Sequence, residues 1–373
     1  MDTEPMDVET VIVGGGQAGL ATAYFLRREG APFLILDAEK RVGDAWRRRW
    51  DSLRLFTSAH YSRLPGLRFP AASWSFPTKD DMADYLETYA RTFELDVRTG
   101  VRVDRLARDG DRFAVTAGDR TYVADNVVVA TGAHRIAKVP SFAPELDPSI
   151  VQLHSSEYLR PSQLRPGGVL LVGAGNSGAD IAMEVVRSHP TWLSGRDTGH
   201  VPVRIEGPAG RVGFTVIRFV RHHVLTIRTP IGRRVRAKEL SKADPLIRVK
   251  PKDLLAAGVK RVVRVAGVRE GLPMLEDGTV LDVTNVIWCT GFRNDFSWID
   301  LPVLDEHGDP RHRRGVVDSE PGLYFVGLPF QYSSSSDVLP GIGRDHAFIA
   351  RQIAARRRDG RRSVATPTSR AAA

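Results

Sequence analysis

Six glycines carry the first chemical signal in this 373-residue sequence. Gly14, Gly16 and Gly19 in VIVGGGQAGLATA, and Gly173, Gly175 and Gly178 in LLVGAGNSGADIA, both have the spacing G-x-G-x-x-G. In each, an apolar run enters the glycines and a helix-forming run leaves them. The first glycine of such a turn allows the tight bend, the second lets the backbone approach a pyrophosphate, and the third lets helix pack on strand. Amide donors and the dipole at the helix start then favour a bound phosphate. With Gln17 and Ala18 inside the first turn, and Asn176 and Ser177 inside the second, the chain carries two phosphate cradles.

The strand that follows each cradle tells the two apart. LILD ends on Asp37, 23 residues after Gly14 and just before Ala38, where a carboxylate accepts hydrogen bonds from a ribose diol. The equivalent strand of the second unit is TWLSGR, with Ser194 and Arg196. A guanidinium there pairs with a phosphorylated ribose that a carboxylate would repel. The first cradle is therefore expected to hold the adenosine of FAD and the second to hold NADPH, so that the nicotinamide reduces the flavin.

These residues need elements to position them. Each cradle opens a β-α-β unit, and each unit is followed by short alternating runs that read as an antiparallel meander. TKDDMADYLETYARTFEL has helical periodicity, and the Pro- and Ser-rich stretch from Val139 to Gly168 reads as a connector. The expected class is α/β, with two dinucleotide-binding, Rossmann-like domains and the NADPH domain inserted in the FAD domain. The expected boundaries are 1–138 for the first part of the FAD domain, 139–284 for the NADPH domain and 285–360 for the second part of the FAD domain. Residues 361–373, rich in Arg, Ser and Ala, are expected to be a disordered tail. The basic and greasy segment Arg204 to Lys238 reads as a helix bordering the active site, a partner surface, or a helix lying on a membrane surface.

Composition narrows the function classes. Hydrophobic residues make up 42% and charged residues 26% of the chain, the balance of a globular protein. No apolar run approaches the roughly 20 residues of a membrane span, and MDTEPMDVET does not resemble a signal peptide, so a cytoplasmic location is expected. Cys289 is the only cysteine, which excludes a disulfide, a Cys-x-x-Cys redox pair and a cysteine metal site. It is expected to be a buried structural thiol, and no metal site is expected. The net charge of +9 is mostly arginine spread along the chain, with no nucleic-acid motif. It is expected to attract anionic cofactors and substrates and not to bind nucleic acid.

Further motifs carry a family resemblance. They are GGGQAG, then RVGDAWRRRWDSLRLF with Gly43 and Trp46, VVVATG with Thr131 and Gly132, HSSEY with His154 and Tyr158, GAGNSGADIA, and IWCTGF with Thr290 and Gly291. Over nearly its whole length the chain resembles the class B flavin-containing monooxygenases, and within them the YUCCA-type enzymes and their bacterial relatives. The resemblance implies that NADPH reduces FAD, that O2 adds to give a C4a-hydroperoxyflavin, and that this oxygenates a small organic substrate. It implies His154, Tyr158 and Asn176 at the catalytic centre, with Asn176 reaching nicotinamide or flavin, Asp180 satisfying backbone donors and Trp46 packing near the isoalloxazine. Tyr158 stands where Baeyer–Villiger members carry Trp, which argues against that reaction. GLYFVGLPF lacks the Asp that often holds the ribityl chain, leaving Gln331 or Asp337 as substitutes. The serine run in YSSSSD reads as a loop over the pocket or as a solvated loop. An NADPH-dependent FAD reductase or oxidase passing electrons to O2 or to a protein partner is the alternative, and a nucleotide-binding regulator is a third reading. Substrate and homo-oligomerisation stay open.

Overall fold

The computed structural model of the protein describes residues 4–132, 136–239 and 244–365. In chain order the first unit holds β1 (Met6–Val13), α1 (Gln17–Arg28), β2 (Leu34–Asp37), α2 (Asp44–Arg47), α3 (Lys79–Thr92), β3 (Val97–Thr99), β4 (Arg105–Asp109), β5 (Arg112–Ala117) and β6 (Arg120–Val129). The crossover holds β7 (Ile136–Ala137). The second unit holds β8 (Val151–His154), β9 (Val169–Val172), α4 (Asn176–Val185), β10 (Thr191–Ser194), α5 (Pro208–Phe219), α6 (Pro230–Glu239), α7 (Pro251–Ala256), β11 (Lys260–Val262), β12 (Val265–Arg269), β13 (Leu272–Leu275) and β14 (Asn285–Trp288). The chain closes with β15 (Phe292–Arg293), β16 (Leu323–Phe325) and α8 (Ile342–Ala365).

The first sheet runs β3-β2-β1-β6-β5-β4, with β16 also paired to β6. The long β6 serves two neighbours on one edge: its first half pairs antiparallel with β5, and its last residues pair parallel with β16. Side chains alternate across the pleat, so odd and even residues build separate cores. Ile12, Ile35 and Val128 face α1, α3 and α8, whereas Val11, Val13, Leu34, Leu36, Val127 and Val129 face the meander side. α3 starts on a reciprocal cap in which Thr78 Oγ1 accepts from the Asp81 amide at 3.1 Å and the Asp81 carboxylate accepts from the Thr78 amide at 2.8 Å.

The second sheet is parallel throughout, in the order β11-β10-β9-β14-β8. Val169, Leu171 and Ile287 face α4 and α7, and Leu170, Val172, Val286 and Trp288 face the other side. This corrects the expected boundary at 285. Strand β14 lies between β9 and β8, so the second unit extends through Trp288 before the chain returns to the first sheet. The expected second meander is reduced to the β12–β13 hairpin. The expected disordered tail is corrected as well, because α8 continues to Ala365. The sequence there is rich in Ala and Arg, both good helix formers. Residues 366–373 lie outside the described residues.

Candidate active site at the two cradles and their crossover

The first cradle is held together by close backbone approach. Gly14 has φ +111, and a Cβ on it would sit 2.5 Å from the Ala130 carbonyl oxygen at the end of β6. A Cβ on Gly19 would lie 1.9 Å from the carbonyl oxygen of Gly14, so only glycine lets α1 seat on the turn. Gly16 differs, because a Cβ there would meet nothing within 4 Å. The open space in front of the α1 N-terminus is where a pyrophosphate fits. Asp37 is buried at the end of β2, its carboxylate so close to the turn that a Cβ on Gly15 would meet Oδ2 at 2.6 Å. Thr131 Oγ1 is buried without a hydrogen-bond partner among the described residues. That orphan beside the turn suits a bound group that hydrogen-bonds to it. Gln17 Oε1 accepts from Trp46 Nε1 at 3.3 Å, so Trp46 is fastened to the first turn of α1. Gly43 has φ +91, and a Cβ on it would press on the Ala83 carbonyl at 2.6 Å, so its requirement is packing against α3.

The second cradle repeats this geometry. Gly173 has φ +114 and a Cβ on it would meet the Cys289 carbonyl at 2.2 Å; on Gly178 it would meet the Gly173 carbonyl at 2.0 Å; on Gly175 it would meet nothing within 4 Å. Arg196 is exposed beyond β10, free to approach a ribose phosphate. Other expected contacts are corrected. Ser194 is fully buried, its hydroxyl donating to the Val263 carbonyl at 2.8 Å and accepting from the Val265 amide at 3.1 Å. Asn176 does not reach toward a nicotinamide: its amide donates to Pro245 O at 3.1 Å and its Oδ1 accepts from Ile247 N at 2.9 Å, pinning that loop to α4. Asp180 pairs with Arg248 at 3.1 Å in place of backbone donors, and burial pushes its carboxyl up against the pull of that arginine.

At the crossover, His154 ends β8 and is buried. Its Nδ1 accepts from the Ser156 amide at 3.2 Å and its Nε2 lies 3.1 Å from the Gly291 carbonyl oxygen, a pattern that fits the neutral ring donating through Nε2. Burial lowers its pKa, the Gly291 carbonyl and Glu157 oppose this, and Arg49 adds to the lowering. The Lys138 amide also donates to Gly291 O at 2.9 Å, and the Thr290 hydroxyl donates to Lys138 O. His154, Thr290, Gly291 and Lys138 thus tie the outgoing and returning chains together. Tyr158 is corrected from reacting residue to core residue. It is fully buried among Val169, Leu171 and Ile181, with its hydroxyl donating to Glu184 at 3.1 Å. Cys289 packs against the second turn, and desolvation raises its thiol to about 12.

The family described as pyridine nucleotide-disulphide oxidoreductase matches residues 11–194. An uncharacterized oxidoreductase, CzcO-like, of Geobacillus kaustophilus (strain HTA426) is 40% identical over 349 residues, covering 93% of this chain and 98% of that protein. The probable indole-3-pyruvate monooxygenase YUCCA1 of Arabidopsis thaliana is 30% identical over 78% of this chain and 77% of its own. A flavin-containing monooxygenase from Stenotrophomonas maltophilia superimposes with a TM-score of 0.76 at 30% identity, covering 94% of this chain and 99% of that one. The chain belongs to the class B flavin-containing monooxygenases. The family's cofactors are FAD and NADPH, and both open cradles fit them.

Within this monooxygenase, several residues near the crossover gave no signal in the sequence. Arg49 lies with its guanidinium 5.7 Å from the Phe292 ring centroid, and Phe292 stacks edge-on to His154 at 4.8 Å. Burial lowers the pKa of Arg49, and its side chain has no acceptor or ion-pair partner among the described residues. In the sequence it is one arginine of a run, and its place against Phe292 sets it apart. The serine run is not solvated: Ser333, Ser334, Ser335 and Ser336 are all buried. Arg221 donates to the Ser334 carbonyl at 2.7 Å, and His222 Nδ1 lies 2.9 Å from Ser335 Oγ, so the basic segment after α5 clamps this loop. Gln331 is not a free ribityl ligand, because its amide donates to Phe325 O at 3.0 Å and Arg314 O at 3.3 Å. Asp337, the other candidate, is exposed and already has an interaction partner.

Proposed function

We propose that the protein is an NADPH- and O2-dependent monooxygenase that places one oxygen atom in a small organic substrate and releases the other as water. The observation that carries this is the pair of open cradles, one closed by Asp37 and the other by Arg196, joined at a crossover tied by His154. FAD, when bound, accepts a hydride from NADPH and supplies the reduced ring with which O2 reacts. The chain's own part is binding and shielding. Amides at the start of α1, with Gln17, Ala18, Asp37, Ala38, Thr131 and Gly132, would hold FAD. Amides at the start of α4, with Ser177 and Arg196, would hold NADPH. Neutral His154 fixes the Gly291 carbonyl and so the angle at which the second unit presents its nucleotide. Arg49 offers an unneutralised cation in that crevice, suited to an anionic part of cofactor or substrate. The buried serine loop, clamped by Arg221 and His222, excludes water from that side. The YUCCA likeness makes an aromatic α-keto acid of the indole-3-pyruvate type the first substrate to test, followed by thioethers and amines.

The test mixes NADPH-reduced protein with oxygenated buffer and compares NADPH consumed with hydrogen peroxide released. Monooxygenation predicts that a substrate lowers peroxide below the NADPH consumed and yields a product containing label from 18O2. Stoichiometric peroxide with all three substrate classes would turn the assignment to an oxidase or reductase.

A further inference from the structure

The basic segment after the second cradle is folded inside out. α5 turns its polar side to the protein: Thr215 Oγ1 lies 2.8 Å from Tyr61 OH, and the guanidinium groups of Arg211 and Arg218 lie over the rings of Trp74 and Tyr61 at 5.2 and 5.4 Å. Phe214 packs on Tyr61 at 4.9 Å from the same side. Positions 212, 216, 219 and 220, an i, i+4, i+7, i+8 stripe, face the other way. Val212 is 68% exposed, Val216 56% and Phe219 55%. With Ile217, Val220 and Ile231 they make up six of the eleven large hydrophobic side chains exposed among the described residues. Exposed apolar side chains concentrated in one segment mark an interaction surface.

The charge around the stripe selects its occupant. From Gly207 to Ala237 the sequence contains seven arginines and no aspartate or glutamate. Arg228, Arg233 and Arg234 are exposed. A second copy would set these arginines against their own kind. A bilayer with anionic headgroups answers both features, because the acyl boundary takes the apolar stripe and the headgroups pair with guanidinium groups. We propose that α5 and the start of α6 dock this protein on an anionic lipid surface, lying in the interfacial plane. No described helix is long and apolar enough to cross a membrane, so the contact is peripheral. Arg218, on the inner face of α5, lines a cavity of about 510 Å³ with His60, Arg63, Leu64 and Ile342. Docking would set one wall of that cavity against the membrane.

The test sediments the full-length, FAD-loaded protein with vesicles of phosphatidylcholine alone, or of phosphatidylcholine and phosphatidylglycerol in equal parts. The protein should pellet with the mixed vesicles, and less so at high salt. Val216→Asp combined with Phe219→Asp should abolish pelleting. Arg233→Ala and Arg234→Ala should each weaken it about fivefold. These side chains are exposed, so FAD content and NADPH oxidation in solution should not change. The proposal is overturned if the wild type stays in the supernatant with both vesicles, or if the aspartate variant pellets equally well. It is also overturned if light scattering shows a dimer that Phe219→Asp splits, which would assign the face to a second copy. Retention on an acidic polypeptide without vesicle binding would assign it to a protein partner.

Discussion

Gly175→Ala should separate nucleotide binding from folding. Gly175 caps α4 with φ −80 and ψ −170, a conformation alanine adopts without strain. A Cβ there meets nothing within 4 Å, so the fold should lose at most about 1 kcal/mol through the poorer cap. The added methyl would occupy the space in which a pyrophosphate must approach the first amides of α4. A hydrogen bond to a charged group is worth about 1.5–3 kcal/mol, so losing one should weaken NADPH binding by about tenfold to a hundredfold. Gly178→Ala provides the contrast. Its Cβ would lie 2.0 Å from the Gly173 carbonyl oxygen, and backbone must move to relieve the clash. Pushing α4 off the turn should cost about 1–3 kcal/mol, lowering Tm and NADPH affinity together. The assay is a thermal melt and FAD content for each variant, followed by the rate of anaerobic flavin reduction against NADPH concentration. Wild-type NADPH affinity in Gly175→Ala would refute the placement of NADPH on this turn. A melt lowered as far as that of Gly178→Ala would refute the claim that the position is open.

Three further outcomes follow from the same geometry. Arg196→Ala should weaken NADPH by about tenfold or more, as expected for a lost charge-assisted bond, and leave NADH nearly unchanged; equal losses for both would remove Arg196 from the 2′-phosphate. His346 is fully buried on α8, and burial lowers its pKa to about 4. The unfolded chain therefore binds a proton below about pH 6.5 that the folded chain refuses. The associated stability is complete above that pH and falls by about 3 kcal/mol as the pH drops to 4. His346→Gln should flatten the acid limb of a plot of Tm against pH, and an unchanged limb would show that other groups set it. Cys289, with its thiol raised to about 12, should resist iodoacetamide at pH 8 in the folded protein and react once unfolded. Cys289→Ala should keep NADPH oxidation, and rapid labelling of native protein would contradict the raised thiol.

How much was legible in the sequence depends on how local the cause is. A glycine turn is decided within six residues, and both turns, Asp37 at the end of β2 and the helices behind them stand where local spacing put them. Side-chain roles were misread wherever the partner lies outside the local motif. Asn176 is engaged by residues 245–247, Ser194 by residues 263–265 and Gln331 by residues 314 and 325. Each is a polar group with several hydrogen-bonding options, and backbone groups left unpaired by loops claimed it first. Strand β14 failed for a related reason. Its apolar run suits either sheet, and only its pairing with Val151–His154 and Val169–Val172 places it in the second.

The basic segment shows where pattern and chemistry point in opposite directions. Its helical periodicity predicts one apolar and one polar face, but gives no sign of which is turned inward. Ordinarily the apolar face is buried. Here aromatic rings at Tyr61 and Trp74 accept arginines on the inner face through cation–π contacts, and the buried serine loop offers carbonyl and hydroxyl acceptors to Arg221 and His222. Those partners lie more than a hundred residues away on both sides of the segment, so the inversion could not be read locally. They satisfy the cations that would otherwise drive this face to solvent, and the apolar face is left for a surface outside the chain.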